Sequence, residues 1–360
     1  MDALALQEET GKIALVRVAH APEHDLAQAT LVETPAPPTV SAPVAELPQD
    51  VKPVIGERPL YYASLPHEAA ITKAREWNRL LDSYTGVNQV KGMSSWGALQ
   101  LACAEALYGA DRGKLVSAWE QALERKGVCA EGAARMAYAA VISDKPIDQF
   151  LDLFSKAYRK WGMDSFSAAH LAVNSALSGT SLDLYLTRWR EANRASNVDC
   201  LSAALIATAS VASNVSVSRF IEHWKYCFNL AYIDERSTTA LAVPSAARRR
   251  PIEDFMADWN QAYDVTAPHT KAATELAVHA VIGKLELHPM LGRWKEASAR
   301  SEIDPLSAAK IARVSMQRNI GVPAILEAFD AARSRPGIDA QSAVALALAS
   351  VGREEDVVYG

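Results

Sequence analysis

Large apolar side chains recur along the chain at a fixed interval of 35 residues. A small side chain follows each member of one aromatic series by three positions, and an apolar pair precedes it by four and three positions. Positions spaced in this way lie on one face of an α-helix, so the pattern predicts an amphipathic helix, helix B, in each period. The aromatic series is Tyr84, Trp119, Phe154, Trp189, Trp224, Trp259, Trp294 and Phe329.

A second helix, helix A, is predicted between successive B helices. A large residue followed by alanine recurs on the same 35-residue interval, from Leu101-Ala102 to Leu346-Ala347. In five periods an aspartate stands seven residues earlier, where its carboxylate can accept hydrogen bonds from the free N–H groups of a first helical turn. Helix A is therefore expected to be short and rich in alanine. The five aspartates are Asp164, Asp199, Asp234, Asp304 and Asp339.

The repeating unit predicts an all-α protein, an α-solenoid of about seven to eight helix-turn-helix repeats over residues 67–360. One helical hairpin cannot bury its own apolar stripe, so neighbouring repeats must cover it. The aromatic series from Trp119 to Phe329 is the predicted structural core. The array is expected to begin with a lone B helix, to end with a lone A helix, and to form an elongated superhelix with a concave surface.

Residues 1–66 form a separate N-terminal segment by composition. They hold nine of the 17 prolines, and each proline lacks an N–H group and biases its neighbour away from helix. We expect an extended or disordered tail, or a strap along a partner or along the repeats that Tyr61, Tyr62 and Leu65 could anchor. The segment has neither the apolar run of a secretory signal nor the acid-poor composition of a transit peptide.

Composition and motifs exclude several classes of protein. The chain has 360 residues, 49% of them apolar and 22% charged, with a net charge of -5, which is ordinary for a globular protein. No run of 18 apolar residues predicts a membrane span, and four cysteines without a CxxC pair suit a reducing compartment. We expect a soluble protein, cytoplasmic, or organellar if a presequence has been removed. No nucleotide, metalloprotease or hydrolase motif occurs, so no catalytic residue, metal, cofactor or small-molecule substrate is predicted.

The period and two short motifs resemble the pentatricopeptide repeat, with the 34-residue tetratricopeptide repeat as the nearest rival. The motifs are the Ile-Asp starts at Ile303-Asp304 and Ile338-Asp339, and the Ser-Ala-Ala-x-Ile-Ala stretch from Ser307 to Ala312. The resemblance implies that helix A lines the concave face and that each repeat reads one base of single-stranded RNA. The positions that match the base-reading one are Gln100, Arg135, His170, Leu205, Ala240, Glu275, Lys310 and Ala345.

The base code of that family is absent, because none of these positions carries Asn, Ser or Thr. The array from residue 90 onward also has no basic excess, with 30 Lys and Arg against 30 Asp and Glu. The strongest local basic feature is Arg248, Arg249 and Arg250, in a turn expected where Pro244 breaks an A helix. The sequence therefore favours a non-enzymatic scaffold that binds a protein or extended peptide, or that docks in a larger assembly. The alternative is a single-stranded RNA-binding protein of pentatricopeptide type that acts in RNA processing or stability.

Overall fold

A computed structural model describes residues 67–195, 198–229 and 233–351 of the chain. These residues form sixteen α-helices and no β-strand, and none of these helices is both long and apolar enough to cross a membrane. The helices are α1 (His67–Asn88), α2 (Ser95–Tyr108), α3 (Arg112–Glu124), α4 (Ala130–Ile142), α5 (Ile147–Trp161), α6 (Ser165–Ser178), α7 (Leu182–Asn193), α8 (Cys200–Ser213), α9 (Val217–Phe228), α10 (Glu235–Ala247), α11 (Ile252–Thr266), α12 (Thr270–Gly283), α13 (Leu287–Ser298), α14 (Pro305–Arg318), α15 (Val322–Arg333) and α16 (Ala340–Val351).

The even-numbered helices are the predicted A helices, and side chains cap them as expected. Asp164 Oδ1 accepts a hydrogen bond from the Ser167 amide at 2.9 Å, and this arrangement repeats at the other predicted aspartates. At the far end, Gly109 and Gly179 adopt left-handed backbone angles, with φ of 69° and 71°, which end the helix without the steric cost of a Cβ atom. These local signals fix each helix at 12 to 14 residues.

The aromatic series lies between each odd-numbered helix and the even-numbered helix that follows it. Trp119, Phe154, Trp189, Trp224, Trp259, Trp294 and Phe329 are all buried, which confirms the predicted core. The indoles also make polar contacts across the pair: Trp189 Nε1 donates to the carbonyl of Cys200 at 3.2 Å, and Trp224 Nε1 donates to Thr239 Oγ1 at 3.1 Å. The compact unit is therefore the pair of helix B and the following helix A, and the described residues form eight such pairs.

The even-numbered helices form the inner layer of the array and the odd-numbered helices form the outer layer. Each even helix packs against the even helices of the neighbouring units, whereas successive odd helices touch each other only slightly. On a curved stack the layer with the closer packing has the smaller radius. We refer to α2, α4, α6, α8, α10, α12, α14 and α16 as the inner helices and to the odd-numbered helices as the outer helices.

The two ends of the array meet, so the eight units close into a ring. The last inner helix, α16, packs against α2 and against α1 in the same way as neighbouring helices do within the chain. Tyr84 Oη donates to Ser342 Oγ at 2.8 Å across this junction, and both groups are buried. Arg335 Nη1 pairs with Asp82 Oδ1 at 3.2 Å. These contacts join residues about 250 positions apart in the chain.

The contacts at the junction are copies of contacts between ordinary neighbours. Arg335 and Arg125 occupy the same position of the 35-residue repeat, as do Asp82 and Asp152, and Arg125 lies 3.7 Å from Asp152. The Ser95 hydroxyl likewise hydrogen-bonds Asp339, as the hydroxyl at the start of α12 bonds the capping aspartate of α10. The junction therefore continues the repeat without a change of geometry.

Two expectations need correction beside the confirmed α-solenoid of eight units. The array is a closed ring and not an elongated superhelix, because the lone first and last helices complement each other and complete the circle. Pro244 does not break its helix: α10 continues past the proline to Ala247, and Pro244 stands in the last turn. The predicted N-terminal segment, residues 1–66, lies outside the described residues.

Candidate binding surface on the inner wall of the ring

The inner helices surround a central space, here called the bore. Eight helices with interaxial distances of 8–10 Å stand on a circle about 10–13 Å in radius. Subtracting a helix radius leaves a bore roughly 10–15 Å across. An extended polypeptide or a single nucleic acid strand fits such a space, whereas a folded domain does not. The concave surface expected from the sequence is therefore the wall of this bore.

Three positions of each inner helix lie on the side that forms the wall of the bore, where some of their side chains, such as Gln100 and Cys103, are buried. The first is the position that matches the base-reading position of the pentatricopeptide repeat. The second lies four residues before it, one helical turn earlier, and the third lies three residues after it. Members of all three line one inner cavity: Lys310 from the first, Trp96 and Leu306 from the second, and Leu348 from the third. These positions vary in chemical character from unit to unit, unlike the core positions, although valine recurs as Val173, Val243 and Val278. The residues one turn before are Trp96, Glu131, Phe166, Leu201, Arg236, Lys271, Leu306 and Gln341.

Arg135, His170 and Thr208 form a polar chain along three successive inner helices. Arg135 Nη1 lies 2.6 Å from His170 Nδ1, and His170 Nε2 lies 3.0 Å from Thr208 Oγ1. A guanidinium can only donate, so Nδ1 accepts and Nε2 carries the proton that it donates to Thr208. Burial and the neighbouring Arg135 charge both hold the pKa of His170 well below its usual value. The imidazole is therefore neutral at physiological pH and ties the three units together.

An aromatic contact lies beside this chain. The rings of Trp96 and Phe166 meet edge to face with centroids 5.8 Å apart, although their helices, α2 and α6, are separated by α4. The guanidinium of Arg135 stacks over the Phe166 ring at 5.0 Å. Only side chains that project from the wall toward the bore can span two units in this way. This contact gives the bore an apolar lining on the side of α2 to α6.

A charged cluster lies on the opposite arc, on α12 and α14. Arg313 Nε donates to Glu275 Oε1 at 2.8 Å, and Arg313 is 4% exposed. Burial alone would raise the pKa of Glu275, but His279, Arg313 and Lys310 outweigh it, so the pKa is lowered and the carboxylate stays ionised. Together with Arg236 and Lys271, these side chains give the arc from α10 to α14 four Lys or Arg against one Glu at the three bore-facing positions.

A cavity of about 540 Å³ opens where the charged arc meets the junction of the ring. It lies between α2, α14 and α16. Its walls are mostly apolar, and Lys310 is the one lysine or arginine among the described residues that line it. Among the side chains that line it are Trp96, Leu99, Leu306, Lys310, Val344 and Leu348.

The predicted site residues take different places on this wall. Arg135 and His170 bond each other, and Glu275 and Lys310 interact through their charges. Leu205 is half-buried without a polar contact, and Gln100 is 2% exposed and so is unavailable to a partner. Gln100 and His170 are therefore parts of the wall and not contact groups.

The basic turn of Arg248, Arg249 and Arg250 lies apart from the bore. It follows the C-terminal end of α10, whereas the cavity is lined from the N-terminal halves of α2 and α14 and from most of the length of α16. Arg248 and Arg249 are exposed, and Arg250 is half-buried. Burial and the neighbouring Arg250 charge lower the pKa of Arg248, although a guanidinium remains charged at any physiological pH. The turn is a separate basic patch on one face of the ring.

The positions that the family resemblance matches do not include Trp96, Phe166 or Arg313, which the structure also places on the wall. Positions one turn apart on a helix share a face. Reading the sequence one turn before each matched position would have found Trp96, Phe166 and the exposed cations Arg236 and Lys271.

The described side chains give little support for a metal site or a nucleophilic thiol. In the part of the chain that the structure describes, no group of three or more His, Cys, Asp or Glu comes together as a metal site would require. Burial raises the pKa of the Cys227 thiol to about 12, and burial together with Asp164 raises that of Cys200. Both thiols are therefore protonated at neutral pH and are poor nucleophiles.

Comparison with known proteins gives no family. No protein-family model matches the chain, and no curated protein matches it in sequence. The architecture and the residues of the bore are therefore the basis for any functional proposal.

Proposed function

We propose that this protein is a non-enzymatic, ring-shaped scaffold that holds an extended segment of a protein partner in its bore, either alone or as a subunit of a larger assembly. One observation carries the proposal: the core positions keep one class of side chain every 35 residues, while the bore-facing positions carry apolar, basic, acidic and neutral polar side chains in an irregular order. A periodic polymer would favour a repeated contact residue. A wall of unlike side chains suits one irregular partner, such as a particular polypeptide segment.

The size of the bore supports an extended segment over a helical one. An α-helix with its side chains is about 10–12 Å across and would fill a bore of this size without leaving room for the projecting Trp96 and Phe166. An extended chain leaves room for both rings. Its side chains alternate in direction, so they can reach the apolar side at α2 to α6 and the charged arc at α10 to α14.

A charge-reversal comparison tests the proposal. The full chain is used as bait for native partners, beside a variant carrying Arg236→Glu and Lys271→Glu, both exposed on the inner wall. The matched control carries Arg219→Glu and Lys225→Glu on the outer helix α9, where both side chains are also exposed. We expect a stoichiometric protein partner that the inner variant loses and the outer variant keeps. Equal loss in both variants, or retention in both, would contradict binding in the bore.

Single-stranded RNA binding of pentatricopeptide type is the second candidate, and the cations of the α10 to α14 arc favour it. Phosphate contacts supply most of the affinity of such proteins and make it depend steeply on salt. Titration of a labelled single-stranded RNA at low salt separates the two proposals. RNA is favoured over a protein partner if binding saturates at protein concentrations below micromolar and weakens steeply with salt. The charge reversal on the inner wall should then abolish this binding.

A further inference from the structure

The cavity between α2, α14 and α16 contains a lysine whose charge has no direct partner. Lys310 is half-buried there, and among the described residues it makes neither an ion pair nor a hydrogen bond. The nearby Glu275 is paired with Arg313 at 2.8 Å and acts on Lys310 only through its charge. Burial of the ammonium lowers the pKa of Lys310 and outweighs the opposing charges of Glu275 and Asp304, neither of which contacts the ammonium directly.

The two carboxylates at the edge of the cavity are already used by their own helices. Asp304 Oδ1 accepts from the amides of Leu306 and Ser307, both at 3.0 Å, and its Oδ2 accepts from the Ser307 hydroxyl. Asp339 makes the equivalent bonds to the amide and hydroxyl of Ser342. Because their oxygens are occupied, these groups are poor sites for a cationic ligand, and the unpaired ammonium is the stronger determinant.

The rest of the cavity suits an apolar group. Trp96 and Leu99 line it from α2, Leu306 from α14, and Val344 and Leu348 from α16. A volume of about 540 Å³ lies within the range of about 300–1,000 Å³ that is usual for pockets that bind small organic ligands. Such pockets combine an apolar lining with a few polar groups that orient the ligand.

We propose that this cavity binds a carboxylate attached to an apolar body, with the carboxylate at Lys310 and the body against Trp96, Leu306 and Leu348. Two sources supply this chemistry: a free aliphatic or aromatic carboxylic acid, and the C-terminal residue of a polypeptide that ends in a large apolar side chain. The second source rests on the proposed function, since it would anchor a partner segment in the bore. The first source does not depend on it.

Three probes with the same body and different head groups test the site. Decanoate, decanol and decylamine are titrated into the full chain by isothermal calorimetry. We expect decanoate to bind at least tenfold more tightly than decanol, and decylamine to bind more weakly than either. Lys310→Met keeps the aliphatic stem and removes the charge, so it should cut decanoate affinity about tenfold and leave decanol unchanged. Lys295→Met, an exposed lysine on the outer helix α13, is the matched control and should have no effect.

Thermal unfolding of both variants shows that they are folded, so a loss of binding cannot be attributed to unfolding. The proposal is overturned if decanoate does not bind, if decylamine binds as tightly as decanoate, or if Lys310→Met binds decanoate as the native chain does. Trp96→Ala tests the apolar wall of the cavity. It should lower the affinities for decanoate and decanol equally, because it removes part of that wall.

A peptide pair distinguishes the two sources. A pentapeptide that ends in leucine with a free carboxylate is compared with the same peptide as its C-terminal amide. Binding of the free form alone, lost in Lys310→Met, identifies a polypeptide C-terminus as a ligand of this site. If decanoate binds and neither peptide binds, the ligand is a free acid. The scaffold proposal is then tested only by the charge-reversal experiment. If the charge reversal removes a captured partner while decanoate does not bind, the scaffold proposal holds and this site proposal fails.

Discussion

Single side chains at repeated positions hold the units together, and the indole of Trp224 shows how. It is 1% exposed, stacks on Phe228 with centroids 4.5 Å apart, and donates a hydrogen bond to Thr239 on the next helix. One residue therefore combines apolar burial with a polar bond between two helices. Because the indole N–H is satisfied inside the core, burial of its one polar atom does not reduce the gain from burying the ring.

Trp224→Ala is expected to lower the free energy of unfolding by about 3–5 kcal/mol, because it removes a large buried ring and leaves a cavity. Chemical denaturation measures the change. Tyr226→Ala is the control, since Tyr226 lies on the same helix and is 43% exposed. Its effect should stay within about 0.5 kcal/mol. A similar loss in both variants would mean that the indole is not part of the core.

His170 makes the stability of the ring depend on pH. Its folded pKa lies well below 6.5 because of burial and Arg135, whereas in the unfolded chain it titrates near 6.5. The unfolded state therefore binds the extra proton, and stability falls as the pH drops below about 6.5, by up to about 1.4 kcal/mol per pH unit. His223, whose pKa burial also lowers, contributes in the same direction.

His170→Gln should flatten this dependence, because glutamine can still accept from Arg135 and donate to Thr208 but takes up no proton. Denaturation curves at pH 7.5, 6 and 5 measure the slope for the native chain and the variant. His288→Gln, at an exposed position of α13, should leave the slope unchanged. The assignment is wrong if the native chain and His170→Gln lose the same stability between pH 7.5 and 5.

At the scale of helices, a capping residue can also join two units. The Asp234 carboxylate accepts from the amides of Arg236 and Ser237 in its own helix and from Thr270 Oγ1 of the next inner helix at 2.8 Å. Burial alone would raise the pKa of Asp234, but these bonds and the Lys271 charge outweigh it and lower the pKa. The charge and its bonds therefore persist at neutral pH and are lost only as the pH falls below about 4.

Asp234→Ala is expected to cost about 2 kcal/mol of stability, because it removes both the cap and the bond between units. Thr270→Val removes only the bond between units and should cost about 1 kcal/mol. In the Asp234→Ala background, Thr270→Val should leave the free energy of unfolding almost unchanged. The two substitutions are then coupled in a double-mutant cycle. Strictly additive losses would show that Asp234 acts only within its own helix.

The fold at this scale was predictable because one local pattern repeats eight times. The aromatic series and the large-Ala pairs located all sixteen helices, since burial of those positions depends only on nearby sequence. The site was predictable in part: Arg135, His170, Glu275 and Lys310 lie on the wall, but their pairing was not visible. The Trp96–Phe166 contact and the Lys310 cavity depend on the curvature of the whole array, which no local pattern encodes.

At the scale of the molecule, closure of the ring buries the apolar surfaces that the two ends of an open array would expose. An open solenoid needs terminal units with a polar outer face. The last helix, α16, carries no charged residue, and Val344, Leu346 and Leu348 are all 3% exposed or less. The absence of a charged face on this final helix was the one sequence signal for closure. Because α1 and α2 cover α16, each unit has two neighbours, and the bore is bounded on all sides.

Crosslinking across the junction tests closure directly. A variant with Asp82→Cys and Arg335→Cys, treated with a short bifunctional maleimide, is expected to give an intramolecular product in which mass spectrometry finds residues 82 and 335 joined. Arg125→Cys with Asp152→Cys is the positive control, since those residues form the equivalent pair between ordinary neighbours. Asp82→Cys with Arg188→Cys, on helices several units apart, is the negative control. Seven steps of 8–10 Å would separate the ends of an open array by roughly 60 Å, beyond the reach of the reagent. Reaction of the 125–152 pair without reaction of the 82–335 pair would therefore show that the array is open in solution.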